Sequence, residues 1–179
     1  MKGATVVVTA KDYQCCHYLP EWYDQCQDIT PRTLFLTKGD DFLSLLSKIG
    51  WSAYFVKDFV KSLTSTRSSI ARNAAEVQEI IKLIEHYRGQ LEGGVCIREF
   101  EDLLPETEER YFVFHGKPFA RNSVVPDLVL GIARRIESPF FSVDLALDKE
   151  GILRLIELGD GQVSDRKKWP VSTFIEIFN

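Results

Sequence analysis

Nowhere in the 179 residues does an uninterrupted apolar segment approach the roughly 18 residues of a membrane span, and the opening Val6-Val7-Val8 run is too short for a signal peptide. No membrane partner is expected, and the expected location is cytoplasmic. Surplus positive charge is also missing. Lys and Arg number 22 against 26 Asp and Glu, a formal net charge of -4 at pH 7, which gives phosphate backbones no general attraction. The basic cluster Arg166-Lys167-Lys168 is short and lies beside Asp165, so no nucleic-acid partner is expected. Cysteine is scarce: four residues, two of them adjacent at Cys15 and Cys16, do not make the spaced framework of a small disulfide fold. Reduced thiols are expected. Cys15, Cys16, His17 and Cys26 fit no usual zinc spacing and are read as part of a connecting segment. Internal repeats and low-complexity stretches are absent too. What is plentiful is apolar content, 45%, enough to build a core in one domain or in two small lobes.

Along the chain, a short strand is predicted over residues 2–9, then an irregular linker or docking segment to Pro31. Asp40 caps a predicted helix carrying Phe42, Leu45, Leu46 and Ile49, and Gly50 ends it. A strand over residues 53–61 places Lys57 and Lys61 on one face with Phe55 and Phe59. After a Ser/Thr/Arg-rich loop over 63–69, Val77, Ile80, Ile81, Ile84 and Tyr87 predict a helix closed by Gly93-Gly94. Strands over 95–100 and 109–115 follow, the second turning at Gly116-Lys117-Pro118 into residues 119–122. Pro126 opens a helix with Leu128, Val129, Ile132 and Ile136, and a short helix over 171–178 ends the sequence.

The segment from Ser142 to Asp160 is the most informative. Phe141, Val143, Leu145 and Leu147 alternate with Ser142, Asp144, Ala146 and Asp148, a period of two, and residues 148–151 supply a turn. A two-residue loop sets Asp144 opposite Leu155, which makes Asp144 and Glu157 diagonal neighbours on one face. Two carboxylates so close call for a cation or a proton between them, and hard oxygen ligands suit Mg²⁺ or Mn²⁺. Asp160, past the strand end, is the expected third ligand.

This order of a lysine strand, a helix, a strand, an arginine strand, a helix and an acidic hairpin resembles the ATP-grasp superfamily over residues 50–165. Within it, Val56-Lys-Asp-Phe-Val-Lys-Ser62, Gly93-Gly94 before Arg98, and Glu157-Leu-Gly-Asp-Gly-Gln-Val-Ser164 look most like the clade distinguished by two arginines and a lysine. The resemblance implies an α+β fold of two small lobes around a nucleotide cleft, with the usual preceding α/β domain largely absent. It divides the chain into an N-terminal remnant and linker (1–50), an ATP-grasp-like domain (51–165) and a C-terminal helix (166–179). ATP and Mg²⁺ (or Mn²⁺) are the implied cofactors. Lys57, Lys61, Arg98, Glu99, Phe100, Glu108 and Arg110 are the implied nucleotide contacts, Arg110 and Arg121 the catalytic residues, and Asp144, Glu157 and Asp160 the metal ligands.

The implied reaction joins a carboxylate to an amine through an acyl-phosphate, on a small-molecule or peptide substrate. A phosphotransferase and a non-catalytic nucleotide-binding or adaptor module are the alternatives. A homo-oligomer or partner chain would complete the acceptor site. Many members of the superfamily end the metal motif as Glu-x-Asn; here Gly159 holds the third position.

Overall fold

The computed structural model describes residues 3, 6–37, 40–60, 69–89, 91 and 93–179. In chain order the elements are α1 (Ala10–His17), α2 (Leu19–Cys26), β1 (Thr33–Leu36), α3 (Phe42–Ile49), β2 (Tyr54–Asp58), β3 (Ile70–Ala71), α4 (Ala74–Arg88) and β4 (Val95–Glu99). Then come β5 (Glu109–Phe114), β6 (Lys117–Phe119), α5 (Asp127–Arg135), β7 (Phe140–Leu147), β8 (Leu153–Asp160) and α6 (Val171–Ile175). This is an α+β fold with two antiparallel four-stranded sheets, ordered β1-β4-β2-β3 and β6-β5-β7-β8. Two compact units result: Pro31–Asp102, and Met1–Thr30 together with Leu103–Asn179. These boundaries differ from a division at residues 50 and 165.

In the unit Pro31–Asp102, alternation sends Tyr54, Val56, Val95 and Ile97 to one face of the sheet, where they form a core with Leu46 of α3 and Val77, Ile80 and Ile84 of α4. The cap of α3 is Asp41, whose carboxylate accepts from the Ser44 N–H; Asp40 instead accepts from the N–H and hydroxyl of Thr37. Gly50 ends α3 at φ 66 as expected. Helix α4 starts at Asn73, which accepts from the Glu76 N–H at 2.9 Å, and stops at Gly89. Gly93 and Gly94 therefore do not close the helix. They lead into β4, where the Phe59 ring, and for Gly94 the Leu36 carbonyl, leave no room for a Cβ.

The other unit differs most from expectation at its start. In place of an irregular segment, residues 10–26 form two helices; of the strand expected over residues 2–9, residues 2, 4 and 5 lie outside the described residues and the others are not in a strand. Thr9 and Asp12 make a reciprocal capping box that starts α1, and Cys16, Leu19, Trp22 and Cys26 recur at helical spacing and are buried. Both helices pack on β8, and α2 also packs on α5. The turn between β5 and β6 is His115-Gly116, both at positive φ, and Lys117 and Pro118 already belong to β6. On one face of this sheet, Phe112, Phe140, Trp169 and Ile177 are buried, with Phe114, Phe119 and Phe174 against them. The C-terminal residues are thus pinned onto the sheet by aromatic rings. All four cysteines are free; burial pushes the Cys16 and Cys96 thiols up to about 12 and Cys26 to about 11, so they stay protonated.

Candidate functional site

Neighbouring strands of the second sheet bring three charged residues into line. Arg110 of β5 is in register with Asp144 of β7, and Asp144 with Glu157 of β8. The two acids stand directly opposite one another instead of diagonally. Two one-residue shifts are the cause: the pairing at the hairpin end sets Leu147 opposite Leu153, one residue beyond the register of a two-residue loop, and a β-bulge between Asp144 and Leu145, where β8 carries one more residue than the partner strand, adds the second. Arg110 grips Asp144 with two parallel bonds, Nε to Oδ1 at 2.7 Å and Nη2 to Oδ2 at 2.6 Å, and donates from Nη1 to the Asp165 carbonyl at 2.6 Å. The Asp144 side chain is buried at 4% exposed, and that of Arg110 is mostly covered at 11%. Burial opposes the guanidinium charge, but the Asp144 carboxylate, with Glu157 and Glu108, outweighs it and raises the Arg110 pKa.

Lys167, which no sequence pattern singled out, completes the cluster. Its ammonium donates to Glu108 and, at 3.1 Å, to Asp144 Oδ2. Burial pulls its pKa down and these carboxylates push it up, for a net rise. In sequence it appears only as the middle of a basic triplet. The signal that could have marked it is Asp165, whose carboxylate accepts from the Lys167 N–H and turns the chain inward.

Other expected site residues are engaged elsewhere. Asp160 lies on the opposite face of β8 from Glu157. Its Oδ1 accepts from the N–H groups of Gln162 and Val163, closing the turn after the strand, and its buried Oδ2 has no hydrogen-bond partner among the described residues. Arg121 pairs with Glu109 at 3.0 and 3.2 Å. Glu99 takes a two-bond grip from Arg32 at 2.6 and 2.8 Å. Phe100 donates its N–H to Ala53, and Glu99 donates its own to Arg32. Among the described residues, no cluster of three or more His, Cys, Asp or Glu side chains forms a metal cage.

In the unit Pro31–Asp102, the register Phe55 to Arg98 and Lys57 to Cys96 puts Lys57 and Arg98 on the sheet face away from α4's core. Each is 4% exposed. Strand β2 lies between β4 and β3, with β3 pairing at Tyr54 and Phe55 and β4 pairing through Lys57. Lys61 lies outside the described residues.

Gly159 shares a face with Asp144 and Glu157. A Cβ there would sit 2.6 Å from Ser164 Oγ and 2.8 Å from Ser142 Oγ, two hydroxyls that bond each other at 2.8 Å. The space of the usual asparagine is filled. Gly159→Asn is therefore expected to lose about 1–3 kcal/mol to overpacking without adding a ligand. Urea unfolding with a parallel Mn²⁺ titration checks this; an unchanged midpoint with tighter binding would show that an amide fits.

The two sheets and the acidic hairpin define an ATP-grasp fold. The chain belongs to the ATP-grasp domains of R2K clade family 3, whose profile matches residues 3–177. No curated protein matches it. Among solved structures, Cdc123 from Schizosaccharomyces pombe is similar at TM-score 0.67 and 15% identity, over 96% of this chain and 94% of that one. The D-alanine-D-alanine ligase from Coxiella burnetii is similar at TM-score 0.62 and 14% identity, over 86% of this chain and 50% of the ligase. The ATP-grasp ligase PsnB, in complex with a minimal precursor, Mg and ADP, is similar at TM-score 0.57 and 13% identity, over 89% of this chain and 54% of PsnB. This chain thus spans about half the length of those two ligases. No helix among the described residues is long and apolar enough to cross a membrane.

Proposed function

We propose that this protein is an ATP- and Mg²⁺-dependent ligase that joins a carboxylate to an amine through an acyl-phosphate. The observation that carries the reading is the pair of facing carboxylates, Asp144 and Glu157, on one sheet of an ATP-grasp fold. Two carboxylates fit the ion, since Mg²⁺ is ordinarily held by one or two of them together with substrate phosphates. When bound, Mg²⁺ would neutralise phosphate oxygens and the charge that develops on the transferring group. Arg110 sets a positive charge against Asp144 and fixes its plane through the two-bond grip. Lys57 and Arg98 are the candidate phosphate contacts of their unit, a point charge and a fork. No protein side chain forms a covalent bond. The substrate carboxylate attacks the terminal phosphorus, the bond to ADP breaks, and an amine then expels inorganic phosphate.

A second reading, a nucleotide-binding module without turnover, is favoured by one feature: the serine hydroxyls close the third-ligand position beside Gly159. One experiment separates these. The protein is incubated with Mg²⁺-ATP and a panel of carboxylates and amines, with hydroxylamine as trap. Hydroxamate formation with ADP release supports ligation, a stable phosphorylated product indicates a phosphotransferase, and binding without turnover indicates the module. Glu157→Gln is expected to weaken Mg²⁺-dependent nucleotide binding by roughly tenfold or more. Unchanged affinity in that variant would remove the site assignment.

A further inference from the structure

Lys167 is held in place from several directions. Arg110 Nη1 holds the carbonyl of Asp165, the Asp165 carboxylate holds the Lys167 N–H, Arg166 bonds the Trp169 carbonyl, and Trp169 Nε1 donates to the Arg110 carbonyl at 2.8 Å. Lys167 itself sits at φ 49, in the left-handed region, which for a residue with a side chain costs on the order of 1 kcal/mol. This conformation is sustained by its surroundings, and it delivers an ammonium to two carboxylates at once.

The Asp144 end of that bridge conflicts with a metal. Oδ2 of Asp144 already receives Arg110 Nη2 at 2.6 Å and Lys167 Nζ at 3.1 Å, and a divalent ion on the same oxygen would repel an ammonium so near. Glu108 offers that ammonium a second carboxylate, to which it is already bonded. At 34% exposed, the lysine side chain also has water beside it through which to move.

We propose that Lys167 is an exchangeable counter-ion for Asp144. In the metal-free protein it neutralises the acid that faces Glu157; when a divalent cation and its phosphate ligands engage Asp144 and Glu157, the ammonium shifts wholly to Glu108. The inference rests on the metal reading given above. It goes further in assigning residues 161–169 the part of a segment whose side chain senses occupancy, and it makes metal affinity the outcome of a competition built into the chain.

The test uses the full chain and Mn²⁺ as the probe, titrated with and without ADP, together with the unfolding midpoint of each metal-free variant. Lys167→Met removes the competitor. It is expected to tighten Mn²⁺ binding by roughly two- to fivefold, the strength of a partly exposed ion pair, while lowering the metal-free midpoint; saturating Mn²⁺ should narrow that loss. Lys167→Arg keeps the charge and should bind Mn²⁺ as the wild type does. Glu108→Gln strands the ammonium on Asp144 and should weaken binding. A merely structural lysine predicts unchanged or weaker Mn²⁺ affinity in Lys167→Met, and that result overturns the proposal. Absence of Mn²⁺ binding in the wild type, with and without ADP, would overturn the metal reading as well, so the two failures are distinguishable.

Discussion

Arg110→Met is expected to destabilise the protein by about 3–5 kcal/mol, the cost of leaving a buried charge without its partner. Asp144 is 4% exposed and takes two of its three cationic bonds from Arg110. The substitution also frees the Asp165 carbonyl from Nη1, so the segment carrying Lys167 loses one of its anchors. Urea unfolding of the metal-free protein measures the effect. The double variant Arg110→Met/Asp144→Leu should recover most of the loss, because replacing both members of a buried pair by apolar groups is far milder than removing one. A single-variant loss below about 1 kcal/mol would mean that solvent or another cation compensates Asp144, contrary to the burial argued here.

Phe112→Ala should cost a similar amount, about 3–5 kcal/mol, through lost burial and the cavity left behind. Phe112 is fully buried, and its ring meets Phe174 at 5.0 Å, Trp169 at 5.3 Å and Phe140 at 5.9 Å between centroids. Two of those three neighbours belong to the C-terminal residues, and Trp169 lies two positions past Lys167. The loss should therefore reach the charged cluster. Faster amide exchange across residues 161–178, beyond that of α5, is the expected signature, with Phe112→Leu intermediate. Uniform loosening of the whole unit would show that these rings do not tie the C-terminal segment to the site.

The reasons some features were legible in the sequence are physical. A shift of one residue in the pairing sends a side chain to the other face, and two such shifts, one at the hairpin loop and one at the bulge, keep Asp144 and Glu157 on a shared face while turning a diagonal pair into a facing one; neither carries a compositional mark. Helices α1 and α2 escaped notice because their buried positions are Cys16, Leu19, Trp22 and Cys26, interleaved with Tyr, Gln and His, so apolar spacing alone is weak there. The Thr9 and Asp12 capping box was the available signal. In the sequence Asp144 reads as a candidate metal ligand and not as the partner of Arg110 and Lys167, because long-range ion pairs carry no local pattern. Its replacement by asparagine consequently affects packing as well as binding. Glu157→Gln is the cleaner probe.

The hydroxyl of Thr30 bonds the carbonyl of Leu155, 125 positions away, while Pro31–Asp102 forms a unit from one continuous stretch. On a ribosome adding about 5–20 residues per second, that separation corresponds to roughly 6–25 s. The intervening unit can mature in this interval, whereas the greasy sides of the first two helices emerge long before the strand that shelters them has been made. Helices α1 and α2 are thus among the last elements to reach their destination, although they are made before the strand they pack on, and nascent-chain chaperones have a long opportunity to bind them.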